Sequence, residues 1–283
     1  MADVSTSLSL RRGVGAALLS SGEFLFGSAV LTFWITCALL GPHFVPYDPL
    51  AGDVLNALAP PSADNWFGTD QLGRDVFSRV IIGSRDILTI APLATFLATI
   101  LGTAIGLLTG YVRGVIDDII SRLLEAVLAL PSIIVVLLAI VALGKSETTV
   151  IMVIALSFAP RIARTVRAAV LSERELDYVA AATLRRESGV HIVFIEILPN
   201  ILPPILVEAT VRLGYAIFAV ATLSFIGFGL QPPSPDWGLS ISTNYAMIGA
   251  GYWWAVLFDA MAIASLVIAV NLVADGLHGA IHD

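Results

Sequence analysis

Residues 88–111 read LTIAPLATFLATILGTAIGLLTGY and carry no charged side chain. The hydrocarbon core of a bilayer is about 30 Å thick, and a helix needs about 20 residues to cross it. Lipid offers the backbone no hydrogen-bond partner, so a spanning stretch of this kind must be helical. The sequence therefore predicts a transmembrane helix here, with Pro92 as a point of bending and the small residues Gly102, Gly106 and Gly110 as a close helix contact.

The rest of the chain repeats this apolar pattern. Of its 283 residues, 57% are hydrophobic and 13% are charged, and the mean hydropathy is +0.90. Soluble domains carry about 25% charged residues. We therefore predict an all-α, polytopic membrane protein with about six transmembrane helices. The five further stretches that are long and apolar enough are 22–41, 119–143, 148–170, 201–228 and 253–278.

Positive charges are unevenly divided between the predicted loops. With the N-terminus inside, three arginines and Lys145 lie outside, and ten arginines lie on the cytoplasmic side: Arg11, Arg12, Arg113, Arg122, Arg161, Arg164, Arg167, Arg174, Arg185 and Arg186. The positive-inside rule then predicts that both termini are cytoplasmic. The predicted parts are a cytoplasmic tail (1–21), a first transmembrane helix (22–41), an extracytoplasmic loop (42–87) and a five-helix core (88–283) with a cytoplasmic loop at about 171–200.

Several classes of function are not expected. The net charge of −7 argues against a nucleic-acid partner, because phosphate binding needs a basic surface. The sequence contains neither a GxxxxGK[ST] phosphate loop nor an HExxH zinc motif. Asp70 and Asp75 alone provide too few oxygen ligands for a hard cation. We therefore expect no catalytic residue, no metal site and no cofactor bound by this chain, and we expect its scattered histidines to be solvated or interfacial: His43, His191, His278 and His282.

The predicted inner loop contains an amphipathic stretch. Residues 172–198 read SERELDYVAAATLRRESGVHIVFIEIL, and Pro199 follows. Ser172 is a suitable helix cap, and a turn near Ser188-Gly189 would divide the stretch into two helices. Leu198-Pro199 would then restart the chain towards the membrane. The residues alone leave two interpretations open: a short helix that docks in a groove of a soluble partner, or a loop helix that lies on the membrane.

This stretch resembles the EAA loop of the permease subunits of ABC importers. The similarity lies in residues 178–182, in Ile197-Leu198-Pro199-Asn200 and in Pro203-Pro204. The leading glutamate of the family falls on Ala180 and its glycine on Arg186, so we expect either a hinge shifted to Gly189 or a loop of different shape. The resemblance implies a coupling helix that contacts an ATPase subunit through Tyr178, Val179, Ala180, Ala181, Ala182, Arg185, Arg186 and Gly189.

A second motif precedes the helix predicted at 88–111. Residues 66–79 read WFGTDQLGRDVFSR, in which the glycines predict turns and the charges predict a local network of ion pairs and caps. The run is similar to the FGTD-x-x-GRD signature that follows the first span in permeases for dipeptides, oligopeptides and nickel. The signature residues are Gly68, Thr69, Asp70, Gly73, Arg74 and Asp75.

A third motif lies in the last predicted loop, and a few charged residues lie within the predicted spans. Residues 223–240, LSFIGFGLQPPSPDWGLS, resemble the turn before the final span of the same family, and Trp237 is expected to be an interfacial anchor. Glu208 and Arg212, four residues apart, are expected to pair and to line the pathway or a subunit seam. Three further groups are expected simply to reach the membrane interface or the headgroups: Asp259, Asp275, and the arginines at 161, 164 and 167.

Taken together, these motifs identify the chain as a member of the C-type permeases of the dipeptide/oligopeptide/nickel ABC importers, in a bacterial-type inner membrane. The resemblance implies the type I importer fold, a homologous second permease, ATP-binding cassette subunits that hold ATP and Mg, and an extracytoplasmic substrate-binding protein. It implies a transporter subunit, not an enzyme, with dipeptides or oligopeptides as cargo. Nickel or a haem-like ligand is the alternative within the family. A stand-alone ion-coupled secondary transporter is the alternative from another class.

Overall fold

The computed structural model describes residues 18–282, and these form an all-α membrane protein. Five of the described helices are long and apolar enough to span a bilayer, and a bent pair of helices provides a sixth candidate. The prediction of an all-α protein with about six transmembrane helices is confirmed. The helices are α1 (Gly22–Phe44), α2 (Val76–Val112), α3 (Val115–Ala129), α4 (Ser132–Leu143), α5 (Glu147–Glu173), α6 (Asp177–Leu184), α7 (Gly189–Phe225), α8 (Trp237–Asn244) and α9 (Trp254–His282).

The stretch expected to form one span at 119–143 is instead two helices. α3 and α4 are bent by 93° at the break between them. Leu130 has the extended conformation (φ −87°, ψ 141°) that a following proline imposes, and Pro131, which has no backbone donor, is the cap residue before α4. Neither half alone is long enough to cross about 30 Å of hydrocarbon. A sixth span therefore exists only as the two halves together.

Two helices extend well beyond the apolar stretches that predicted them. α2 begins at Val76, so residues 76–87 of the expected loop are helical. α7 begins at Gly189, inside the expected cytoplasmic loop. Hydropathy missed the first turns of α2 because they carry Arg79, Arg85 and Asp86. Charged side chains lower the hydropathy of a stretch without ending its helix.

The chain divides into two compact units, and the first contains α1, the first turns of α2, the end of α7, α8 and α9. In it α1 packs along α9. Gly27 faces the backbone of Ala269, and Gly276 faces Phe24, with no room for a side chain at either glycine. The indole of Trp34 donates to Ser265 Oγ at 2.9 Å. Small residues therefore let these two helices approach closely.

Trp237 and Asp259 are buried in this unit, so the expectation that both reach the membrane interface is wrong. Trp237 has no exposed surface. Its indole nitrogen donates to the carbonyl of Val80 at 2.9 Å, and its ring lies edge-to-face with that of Trp34, with centroids 4.8 Å apart. Gly83 leaves room for the ring beside α2. Asp259 is 2% exposed.

The second unit contains the rest of α2 together with α3, α4, most of α5, α6 and the first part of α7. Its central contact is the glycine row of α2 against α5. A Cβ atom at Gly106 would lie 2.6 Å from Val166 Cβ, and the same distance separates a Cβ at Gly102 from Ile162 Cβ. The predicted row of small residues on α2 therefore faces α5, and side chains of α5 lie directly against the backbone of α2.

An ion pair joins α3 to α5 in the same unit. Arg167 donates from Nε and Nη2 to the two carboxylate oxygens of Asp117, both at 2.7 Å. Asp117 is buried, and its second partner is Ser121. A bidentate partner on α3 thus holds the guanidinium of Arg167, and the expectation that this side chain reaches the headgroups stays a prediction.

We expect Gly106→Ala to destabilise the protein by about 1–3 kcal/mol, because the added methyl group overlaps Val166 and the helices must separate. Gly279→Ala on α9 is the matched control, since a Cβ there meets nothing within 4 Å. The measurement is the midpoint of thermal unfolding of each variant in the same detergent. Equal midpoints for the two variants would show that the contact between α2 and α5 is looser than described.

Candidate functional site

α6 is a short helix that packs against the first turns of α7 and leaves an apolar surface open. Val179 and Ala182 are buried, and the helix contacts residues 192–197 of α7. On the other side Leu184 is 85% exposed and Leu176 is 46% exposed, and Ala180 lies between them and is exposed. Residues 176, 180 and 184 are four apart and share one face of the helix. The open side of α6 therefore presents two leucines and Ala180, with the exposed Asp177 next to them.

The turn after α6 is formed by Arg186 and not by Gly189, so the alternative of a hinge shifted to Gly189 is wrong. Arg186 has φ 58°, the left-handed conformation. Its N–H donates to Thr183 O at 3.0 Å, and the N–H of Glu187 donates to Ala182 O at 3.2 Å. These two bonds define a Schellman cap, in which glycine is the usual left-handed residue. The arginine thus forms the turn at the position where the resemblance to the EAA loop places a glycine.

Gly189 is instead the first residue of α7. Ser188 caps this helix by accepting a hydrogen bond from the N–H of His191 at 3.2 Å. A Cβ at Gly189 would lie 3.1 Å from the ring of Tyr111, so the glycine allows a close approach to α2. The guanidinium of Arg174 donates to the carbonyl of Tyr111 at 2.7 Å. The residues just before α6 are therefore also held beside Tyr111.

α7 continues through its prolines and does not restart at Leu198-Pro199 as expected. Residues Ile192–Ile197 have π-helical hydrogen bonding, and the helix then runs without a break past Pro203 and Pro204. A π-helical turn redirects the hydrogen-bond ladder where a regular α-helix cannot continue, and such turns are frequent at functional sites. The turns that follow Ser188 and the span after them are therefore one continuous helix, separate from α6.

The predicted contact residues do not all lie on one side. Ala180, Ala181, Arg185, Arg186 and Gly189 are exposed, whereas Val179 and Ala182 are buried. The hydroxyl of Tyr178 donates to Glu173 Oε2 at 2.6 Å, and burial, with this hydrogen bond, raises the pKa of Tyr178 to about 12. The side chain of Tyr178 therefore ties α6 to the end of α5. The exposed Leu184 was missing from the predicted set, although its spacing from Ala180 could have revealed it.

The loop before α2 contains the predicted network of ion pairs and caps. Asp70 accepts from Arg74 Nε at 2.7 Å and from the N–H groups of Leu72 and Arg74 at 2.9 and 3.0 Å. Asp75 caps α2 by accepting from the N–H and hydroxyl of Ser78 at 2.8 and 2.7 Å. Gly73, between them, has φ 70°, and a side chain there would overlap Asp53.

Arg79 connects this loop to the segment before α8, a role that the sequence did not reveal. Its guanidinium donates to the carbonyls of Pro49 and Ser234 at 3.0 and 3.1 Å and to Ser240 Oγ at 3.1 Å. Its Nε atom lies 3.8 Å from Asp70 Oδ2. Asp236 caps α8 close by, and burial raises the pKa of its carboxyl to about 6. One buried arginine side chain therefore supplies the hydrogen-bond donors for carbonyl groups of two irregular segments, in place of backbone N–H groups.

Glu208 and Arg212 form the expected pair within α7. Arg212 Nε donates to Glu208 Oε1 at 2.7 Å, and the two side chains are 16% and 19% exposed. Pairing offsets much of the cost of placing two charges at membrane depth. Their assignment to the pathway or to a subunit seam stays a prediction.

The comparison with known proteins identifies the family. A family model described as the binding-protein-dependent transport system inner membrane component matches residues 102–283. The chain belongs to this family. The matched part includes α6, all of α7 and the Glu208–Arg212 pair.

Relatives that cover nearly the whole chain narrow the family to peptide permeases. The dipeptide transport system permease protein DppC of Bacillus subtilis is 34% identical over 97% of this chain and 86% of its own length. DppC of Escherichia coli is 40% identical over 86% of this chain and 83% of its own length. The di/tripeptide permease DppC of Pseudomonas aeruginosa is 35% identical over 91% of this chain and 86% of its own length. The predicted family, the peptide ABC importer permeases, is confirmed.

A solved structure supports the fold. A chain of the MetNI methionine ABC transporter, in an inward-facing conformation, superposes with a TM-score of 0.59. The match covers 72% of this chain and 96% of that one, at 20% identity. The predicted importer permease fold is thus confirmed, and at this identity the match carries no information about cargo.

The left-handed Arg186 gives a local prediction for this permease. We expect Arg186→Gly to stabilise the turn by about 1 kcal/mol relative to Arg186→Ala, because both variants lose the charge but only glycine relieves the left-handed strain. Hydrogen exchange of the peptides that cover residues 177–191 would then be about five-fold slower in the glycine variant. Equal exchange in the two variants would contradict a left-handed residue at this position.

Proposed function

We propose that this permease forms the translocation pathway of an ATP-driven importer for dipeptides or short oligopeptides, together with a homologous second permease. The names of the relatives support the cargo, since dipeptide and di/tripeptide permeases align over most of both chains. A substrate-binding protein on the outer face would deliver the peptide. ATP and Mg²⁺ would be held by separate cassette subunits, because this chain has no phosphate-binding loop.

The observation that carries the proposal is the open apolar face of α6. Leu176, Ala180 and Leu184 are exposed on a helix whose opposite side is packed. An amphipathic helix that offers residues spaced by four to a groove is a recurring mode of protein recognition. Burial of a leucine side chain contributes about 1.5–3 kcal/mol. We infer that this face docks in a groove of the ATPase subunit.

The packing of α6 suggests how movement of the ATPase would reach the pathway. α6 rests on residues 192–197, and these belong to the same continuous helix as Glu208 and Arg212. A push on α6 therefore acts on the start of α7 without an intervening flexible loop. Alternating access would follow as a shift between two arrangements of the helices, each favoured by different ligands.

The proposed orientation places the coupling segment in the cytoplasm and the loop before α2 outside. The excess of arginines on the side of the coupling segment supports it. The spans support it as well, since six crossings, with α3 and α4 counted together, return the C-terminus to the side of the N-terminus.

A charge on the open face of α6 tests the docking surface. We expect Leu184→Glu to reduce the amount of ATPase subunit that co-purifies with the permease by at least about ten-fold, because a carboxylate would have to be buried in the groove. Peptide uptake should fall in parallel. Leu55→Glu is the control, since Leu55 is 96% exposed but lies in the loop before α2. An intact, active complex with Leu184→Glu would exclude this face as the docking surface.

Cysteine labelling tests the orientation. In a background where the half-buried Cys37 is changed to serine, Leu55→Cys should react with a membrane-impermeant maleimide in intact cells. Leu184→Cys should react only after the membrane is permeabilised. The reverse pattern would invert the topology, and labelling of both sites in intact cells would place both segments outside.

A further inference from the structure

Three side chains that commonly bind metal ions converge where α6 ends and α7 begins. Glu187, His191 and Glu196 each present one ligand atom, and these atoms all lie within 4.8 Å of one another. The sequence predicts no metal site in this chain, and His191 was expected to be solvated. The spacing of the three residues matches no zinc motif, so the cluster becomes visible only in the fold.

Two local features bring the side chains together. Glu187 lies just before the helix that Ser188 caps, and His191 lies four residues later, one turn along the chain. Glu196 follows His191 by five residues and lies in the π-helical stretch Ile192–Ile197. In a regular α-helix residues five apart point in different directions. The hydrogen bonds of a π-helix link residues five apart, so they lie one turn from each other.

The distances suit a small divalent ion. His191 Nε2 is 3.1 Å from Glu187 Oε2. Ligand atoms around a tetrahedral Zn²⁺, at metal–ligand distances of about 2.0–2.2 Å, are about 3.4 Å apart. Small side-chain movements would close the cluster around an ion, since the three side chains are only partly buried, with 22–47% of their surface exposed.

Arg185 holds the two carboxylates in place and leaves ligand atoms available. It donates from Nε to Glu187 Oε1 at 2.6 Å and from Nη2 to Glu196 Oε1 at 3.1 Å. Glu187 Oε2 is buried and accepts no hydrogen bond within the described part of the chain, and it faces His191 Nε2 at 3.1 Å. With neutral histidine the four side chains carry a net charge of −1, so one carboxylate charge is not compensated.

We propose that Glu187, His191 and Glu196 form a binding site for a first-row divalent metal ion of the Zn²⁺ class. Imidazole together with carboxylate favours such ions over Ca²⁺ and Mg²⁺, which take oxygen ligands. Water would complete the coordination, and Arg185 would hold the outer carboxylate oxygens. The ion would join the turn after α6 to the π-helical stretch of α7. It would thereby stiffen the element on which the proposed coupling depends.

Metal binding to the purified full-length permease tests this site directly. The protein would carry no histidine tag, be stripped with a chelator in mild detergent, and then be titrated with Co²⁺ as a spectroscopic probe and with Zn²⁺ in competition. We expect one saturable ion per chain. Glu187→Gln, His191→Gln and Glu196→Gln should each weaken binding by about ten-fold or more, since each removes one of three ligands.

Matched controls separate the site from general charge effects. Glu175→Gln removes an exposed carboxylate of the same cytoplasmic segment that pairs with Arg113, and His43→Gln removes a histidine from the end of α1. Both should bind like the wild type. The absence of saturable binding to the wild type would overturn the proposal, as would wild-type affinity in the three ligand variants. The measurement requires neither ATPase nor peptide, so its outcome is independent of the proposed transport function.

Discussion

The backbone of a membrane-embedded chain must satisfy its own hydrogen bonds, and this constraint shapes every part of the permease. Within the spans the solution is the helix. Outside them, irregular segments are held by buried polar side chains. Arg79 donates to the carbonyls of Pro49 and Ser234, and the carboxylate of Asp70 accepts from two backbone N–H groups. The loop before α2 and the segment before α8 are thus fixed by charge-assisted hydrogen bonds, which are about twice as strong as neutral ones.

Close packing of helices follows from the same constraint. Lipid is as apolar as leucine, so burial of apolar side chains gives helices in a membrane little reason to associate. Association then depends on backbone approach and on ion pairs. The glycine row of α2 against α5 supplies the first, and the pair between Arg167 and Asp117 supplies the second. The two kinds of contact occur in the same unit and act on the same helix, α5.

The segment around α6, which we propose as the coupling segment, differs from the spans because only one of its sides is packed within the fold. One side of α6 is fixed by Val179, Ala182 and the hydroxyl of Tyr178, while the other is left apolar and exposed. Its end is closed by a left-handed arginine, and α7 begins with a π-helical turn. Both are local departures from ideal geometry, and such departures are common where structure serves function.

The sequence by itself determined the class of the protein, the approximate number of its spans and the family. These properties depend on hydropathy and on local motifs, and a single chain displays both. Only the tertiary structure decided which residues face each other. Trp237 and Asp259 are buried where an interfacial position was expected, and Arg167 finds Asp117 fifty residues away. Glu187, His191 and Glu196 come together because of a π-helical turn, and the spacing of these residues in the sequence does not indicate that turn. Long-range pairing and helix register follow from the packing of the whole chain, and local sequence does not encode them.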